Sequence, residues 1–191
     1  MPERRHSRGH TLAELMAVCA VLAIAAAVAL PSSQPVTGAR VDAAAGEVIQ
    51  ALRFARQEAM RSGANRMLRC DAVRNEVSVY VPDASGAIAT MLKHPLNKMD
   101  YTVNLGQAPA GSNIALTGCS FRFANGSTAT SVAFDAGGNP VRGISAGAGT
   151  GPGTAPASDP NQILSSGIIV VGAGNVTRTV AIDAGGRVTA S

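Results

Sequence analysis

From Leu15 to Ala39 the chain carries no formal charge, and just upstream stand three arginines, Arg4, Arg5 and Arg8, and one glutamate, Glu14. The apolar heart of this stretch is residues 15–30, LMAVCAVLAIAAAVAL. As a helix these 16 residues would run about 24 Å at 1.5 Å per residue. That is shorter than a hydrocarbon layer of about 30 Å, but Thr11, Leu12 and residues 31–36 can extend it. A basic flank before such a segment keeps the N-terminus on the cytoplasmic side. Few water-soluble folds use a stretch of this kind, so it frames everything after it.

An ordinary signal peptide has the same outline: a basic start, an apolar stretch and a small-x-small cleavage site. Ala25-Ala26-Ala27 and Ala27-Val28-Ala29 both offer one. Glu14 argues against that reading. A carboxylate at the edge of an apolar helix costs about 2.5–3.5 kcal/mol near mid-bilayer and less near the interface, so it calls for a partner. A segment destined only for removal has no use for it.

Arg8-Gly9-His10-Thr11-Leu12-Ala13-Glu14-Leu15, the apolar run and then Pro31 together resemble the type IV pilin superfamily. In that family a prepilin peptidase cuts after the Gly and methylates the new N-terminal residue. The resemblance implies cleavage between Gly9 and His10, with Glu14 at the fifth mature position and Pro31 at the twenty-second. It also implies that Glu14 pairs with a neighbouring subunit's N-terminal amine, and a buried charge is tolerated when paired. The chain departs from the pattern at His10, where the family usually has Phe.

Residues 37–62 continue the helix. Val41, Ala45, Val48, Leu52, Ala55 and Ala59 recur at spacings of three and four, one apolar stripe. Pro31 is expected to kink the helix and Gly63 to stop it. Phe54 falls off the stripe and has two candidate neighbours, a loop of the head or a partner subunit. After Gly63 the pattern turns to short strands, expected at 65–70, 76–81, 87–92, 101–105, 119–123, 131–134, 163–171 and 176–182, with turn signals between them. Residues 76–81 alternate with period two. The expected fold class is therefore α+β, a long N-terminal helix packed on an antiparallel β-sheet head. Residues 143–160 hold five Gly and three Pro, the composition of a flexible surface loop.

Phe134-Asp135-Ala136-Gly137-Gly138-Asn139 nearly repeats as Ile182-Asp183-Ala184-Gly185-Gly186-Arg187, and two similar hairpins explain both. The helix text over 52–63, the Phe134-Asp135 turn and the closing Gly186-Arg187-Val188 are similar to the GspH/FimT branch of the superfamily. GspH is a minor pseudopilin of type II secretion, and FimT and its relatives are minor pilins of type IV pili.

Other motifs carry less. Gly143-Ile144-Ser145-Ala146-Gly147 matches a hydrolase nucleophile elbow in letters, but a Gly/Pro loop follows and no His comes after Ser145. Leu116-Thr117-Gly118-Cys119 resembles a lipoprotein box, yet no apolar run precedes it. No acid/base, nucleophile or metal set emerges, so neither catalysis nor a cofactor is expected. Of the hydrophobic 46% many residues are Ala, and Phe, Tyr and Trp make only 3% of the chain, which disfavours an aromatic platform for single strands.

The three Cys are too few for a disulfide scaffold. Cys19, inside the apolar run, reads as a small buried residue. Cys70 and Cys119 would lie outside the cytoplasm, where either a bridge or two reduced, buried thiols is open. Arg53, Arg56, Arg61, Arg66, Arg69 and Arg74 form a basic run, but at 100° per residue Arg53, Arg56 and Arg61 point in different directions, as on a solvated helix face. Some FimT proteins bind DNA through a C-terminal motif that opens Gly-Arg-x-Arg; here Gly186-Arg187-Val188 matches and Thr189 replaces the second Arg. Cleavage after Gly9 would remove three Arg and one Glu, so the formal charge of +4 would become +2.

The expected organisation is a leader peptide over 1–9, a transmembrane and filament-core helix over 10–36, an amphipathic continuation over 37–62, and a periplasmic β-rich head over 63–191. The expected role is that of a minor pilin or pseudopilin in the inner membrane, assembling with other minor and major subunits of a type II secretion pseudopilus or type IV pilus. The alternative is a pilus-associated DNA receptor, with Arg187 as its contact.

Overall fold

The computed structural model of the protein describes residues 12–29, 33–83, 85–107, 113–143 and 162–191, with side chains left aside at 25–29 and 33–36. The chain divides into two compact units, 1–36 and 37–191.

The first unit contains α1, Leu12–Ala29, with Glu14 in its first turn. Leu12, Leu15, Met16, Val18, Val21, Leu22 and Ile24 are all exposed, so apolar side chains surround the helix instead of forming a stripe. Cys19 is exposed as well. The expectation of a buried thiol fails because this stretch of α1 carries no covering layer of its own. Among the described residues no helix is long and apolar enough to cross a membrane. The expected anchor, 10–36, runs past both ends of the described part of α1.

The second helix, α2, spans Ser33–Ser62. Val41, Ala45, Val48, Leu52, Ala55 and Ala59 are at most 3% exposed, and Ala44 and Ala51 join them at 0%. The buried face is thus wider than the six-residue stripe, because small Ala side chains let the sheets approach. The helix ends where Gly63 takes a φ of +65°, a left-handed conformation that costs glycine least. Arg61 in the last turn donates to Glu58 one turn back, at 2.6 and 2.8 Å, and the Ser62 hydroxyl donates to the Glu58 carbonyl at 2.6 Å.

Two antiparallel sheets follow. The first is built from β1 (Arg66–Asp71), β2 (Glu76–Pro82), β3 (Ile88–Met91), β4 (Thr102–Asn104), β7 (Ser131–Phe134) and β8 (Pro140–Val141). Its order is β3-β2-β1-β7-β8, with β4 also on β2. The second contains β5 (Ala115–Phe123), β6 (Thr128–Ala129), β9 (Leu164–Ala173), β10 (Val176–Asp183) and β11 (Val188–Ala190), in the order β11-β10-β9-β5-β6. Eight of these strands sit where turn signals and apolar runs place them. The three unforeseen ones, β6, β8 and β11, are two or three residues long and pair at sheet edges. Strands so short leave no period-two signature.

One core joins α2 to the inner faces of both sheets. It includes Leu68 and Cys70 of β1, Val77 and Val79 of β2, Phe121 and Phe123 of β5, Phe134 of β7, Ile169 and Val171 of β9, and Val180 and Ile182 of β10. The opposite pleat of the first sheet closes a smaller cluster of Met67, Tyr80, Ala133 and Val141. The alternation of side chains along a strand sends Met67 to one cluster and Leu68 to the other.

Three links tie the elements together over long sequence distances. Cys70 of β1 and Cys119 of β5 form a disulfide with a Cα–Cα distance of 6.4 Å, which bolts one sheet to the other. Asn75, in a left-handed turn, donates from Nδ2 to the Ile114 carbonyl at 2.7 Å and accepts from the Leu116 amide at 2.7 Å. Arg178 of β10 pairs with Asp42 of α2. The Leu116-Thr117-Gly118-Cys119 text lies in mid-strand, where the β5–β9 register shifts between Leu116 and Gly118. Its small residues serve that bulge, with Thr117 Oγ1 donating to the Val170 carbonyl at 3.2 Å.

Candidate functional sites

The first candidate is the N-terminal segment. Glu14 lies in the first turn of α1 and is exposed. A carboxylate there also complements the positive end of the helix dipole. Gly9, His10 and Pro31 lie outside the described residues, as do residues 144–160 of the stretch 143–160 that was expected to be a flexible loop, Ser145 among them.

The near-repeated turns form the second. Asp135 Oδ1 accepts from the Gly137 and Asn139 amides at 2.9 and 2.8 Å. Asp183 Oδ1 accepts from the Gly185 and Arg187 amides at 2.9 and 2.9 Å. In both turns the second Gly, Gly138 or Gly186, has a positive φ, 78° or 75°. A third copy, unmarked in the sequence because Ser replaces the first Gly, opens at Asp83 and includes Ser85, Gly86 and Ala87. There Asp83 Oδ1 accepts from the Ser85 and Ala87 amides at 2.8 and 2.9 Å. The Ser85 hydroxyl is the leading cause that holds the Asp83 carboxyl below its ordinary range, followed by backbone amides. The motif is a structural turn in which an Asx side chain does the work of a backbone carbonyl.

Two of the turns, one from each sheet, close on the same part of α2. A Cβ at Gly138 would stand 2.8 Å from Met60 Sδ and 3.1 Å from Arg56 Nε. A Cβ at Gly186 would stand 3.3 Å from the Gly138 carbonyl oxygen and 3.4 Å from Arg56 Cζ. Arg56 donates from Nη1 to the Gly186 carbonyl at 3.1 Å, and its buried Nε has no acceptor.

Beside this junction lies an open groove of about 350 Å³ lined by Leu52, Arg53, Arg56, Gln57, Met60, Gly186, Arg187 and Val188. The expectation that Arg53, Arg56 and Arg61 point in different directions is corrected for Arg53 and Arg56, which share this groove, and not for Arg61. Arg53 and Arg56 are three residues apart, neighbours on a helix surface, and the C-terminal turn brings Arg187 to them. Arg61 turns away to Glu58, whose carboxyl it holds below the ordinary range, chiefly through the hydrogen bond. Arg69, Arg74 and Arg178 are likewise matched by Asp71, by Asp71 and Glu76, and by Asp42.

A second groove, of about 340 Å³, is lined by Glu47, Gln50, His94, Asn97, Tyr101, Thr102, Val103 and Asn104. Phe54 stacks on Tyr101 with centroids 4.6 Å apart, and His94 lies 4.8 Å from the same ring. Of its two candidate neighbours, then, Phe54 meets the loop of the head. Partial burial pushes the Glu47 carboxyl up; burial, and then the nearby Glu47 charge, pushes the Tyr101 phenol up. Tyr101 is only 5% exposed, so it offers no stacking platform. Among the described residues no cluster of His, Cys, Asp and Glu could hold a metal ion.

No curated protein matches this chain closely enough to count as a relative. Among solved structures, it is similar to the type IV minor pilin FimU of Pseudomonas aeruginosa PAO1, at 16% identity and a TM-score of 0.47, over 84% of this chain and 92% of that one. It is also similar to the minor pseudopilin EpsH of the type 2 secretion system of Vibrio cholerae, at 13% identity and a TM-score of 0.48, over 80% of this chain and 96% of that one. The prokaryotic N-terminal methylation motif matches residues 4–30, the segment that holds Gly9, His10 and Glu14. The chain thus carries at its N-terminus the motif on which its likeness to the type IV pilin superfamily rests.

Proposed function

We propose that this protein is a minor pilin or pseudopilin of the GspH/FimT type, a structural subunit that needs no chemistry beyond its own processing. The methylation motif over 4–30 carries this reading. The exposed apolar surface all round α1 supports it, since a helix apolar on every side is suited to lipid or to a bundle of its own kind. On this reading residues 1–9 are removed and His10 becomes the methylated N-terminus. Glu14 pairs with a neighbour's amine, residues 10–36 anchor the chain in the inner membrane, and the sheets face the periplasm.

The test is the N-terminal mass of the protein extracted from membranes, with and without a prepilin peptidase. A chain beginning at methylated His10 is expected. One beginning at Val28 or Leu30 would mean a signal peptide and overturn the proposal. Glu14→Ala should then block assembly while cleavage proceeds, and normal incorporation of that variant would remove the pairing role.

A DNA receptor is the second reading. The observation that favours it is the groove Arg187 shares with Arg53 and Arg56. It requires that the protein retard duplex DNA in a salt-dependent manner, and that Arg187→Ala weaken the effect.

A further inference from the structure

The groove between α2 and β11 has a charge problem. Arg53, Arg56 and Arg187 line it, and no acidic side chain does. None of the three makes an ion pair among the described residues, whereas Arg61, Arg69, Arg74 and Arg178 all do. Arg56 is fixed by the Gly186 carbonyl and half-buried, so it cannot swing out to recover its hydration. A cation held in that way is stabilised by an anion arriving from outside. Gln57 adds an amide, and Leu52, Met60 and Val188 supply an apolar floor.

The shape selects the kind of anion. β11 is the outermost strand of its sheet, so its outer backbone edge has no ladder partner among the described residues. Such an edge recognises another extended polypeptide by main-chain hydrogen bonds. A duplex would instead need a long exposed stripe of cations, and Arg61, Arg69 and Arg74 of the basic run are already paired with their own acids. We infer that the groove formed by Arg53, Arg56 and Arg187 beside β11 receives an extended, acidic segment of a neighbouring protein subunit. This deepens the assembly reading and rests on it.

The test uses the full chain in non-ionic detergent at low salt, and follows the anisotropy of a fluorescein-labelled peptide of alternating Glu and Thr. Saturable binding is expected. Losing two charged contacts in Arg53→Ala/Arg187→Ala should weaken it at least about tenfold, while Arg122→Ala, an exposed arginine on β5 outside the groove, should leave it unchanged. Arg187→Glu should abolish it and favour the matching Lys/Thr peptide. No binding, or an equal loss in Arg122→Ala, would overturn the inference. So would tighter, Arg187-dependent binding of a 20-base-pair duplex, which would make the groove a nucleic-acid site. The N-terminal mass does not enter this experiment, so failure of the assembly reading and failure of the groove are distinguishable.

Discussion

Arg56 and Gly186 lie 130 residues apart in sequence and meet at 3.1 Å, guanidinium to carbonyl, where the last turn of the chain closes on α2. That bond fixes one wall of the basic groove. Arg56→Met keeps most of the stem and removes the donor, leaving the Gly186 carbonyl short of a partner. We expect a loss of about 1 kcal/mol, read as an earlier urea midpoint with an unchanged slope. An unchanged midpoint would mean that water replaces the guanidinium without cost.

Gly167 on β9 is a position set by packing. An added Cβ would lie 2.5 Å from Phe121 Cδ1 and 2.6 Å from Ile182 Cγ2, both in the buried core. Gly167→Ala should therefore destabilise the head by about 1–3 kcal/mol, because a close-packed core has no room to yield. Gly174→Ala is the informative comparison: nothing stands within 4 Å of its Cβ, but its φ is +58°. Its smaller penalty, about 1 kcal/mol, would come from backbone strain alone. Thermal denaturation of the two variants separates clash from strain.

The Cys70–Cys119 bridge closes a loop with a sequence separation of 49. In the chain-entropy model a loop of that size contributes about 4 kcal/mol. The Cys70→Ala/Cys119→Ala variant should lose stability on that scale, and reductant should lower the midpoint of the parent and not of the variant. Insensitivity of the parent to reductant would show that Asn75 and the shared core hold the sheets together unaided.

Glu47 supplies a pH dependence. Its carboxyl is pushed up by partial burial, so folding disfavours its charged form. The penalty is present at neutral pH, where the unfolded chain is ionised, and fades as pH falls through the raised value and then the ordinary one. Glu47→Gln should therefore raise the melting temperature modestly at pH 7 and match the parent below about pH 4. Solvent screening at this half-exposed site keeps the effect small. A gain that persists unchanged at low pH would assign it to something other than charge.

Phe54 on Tyr101 joins α2 to the loop between β3 and β4. Phe54→Ala should cost about 1–3 kcal/mol, less than a fully buried aromatic. Tyr101 fluorescence should change in the folded state, since its stacked face becomes open to solvent. No change in emission would argue that the ring finds another cover.

Local patterns in the sequence determined a good deal of this protein. Spacings of three and four placed the buried face of α2, because a helix repeats every 3.6 residues. A period-two run marked β2, apolar runs bounded by turn signals marked the other longer strands, and the Asp-Ala-Gly-Gly repeats read directly as turns. The motif over residues 4–30 needed no structure at all. What depends on residues far apart was decided only by the tertiary structure. The edge strands β6, β8 and β11 exist because a neighbour offers them a ladder, and Asn75 matters because β5 passes beside its turn. Arg53, Arg56 and Arg187 line one groove only because two turns from two sheets close on one end of α2. Side-chain periodicity is fixed within a few residues of chain, whereas a groove is fixed by packing, and no local spacing encodes which surfaces will meet.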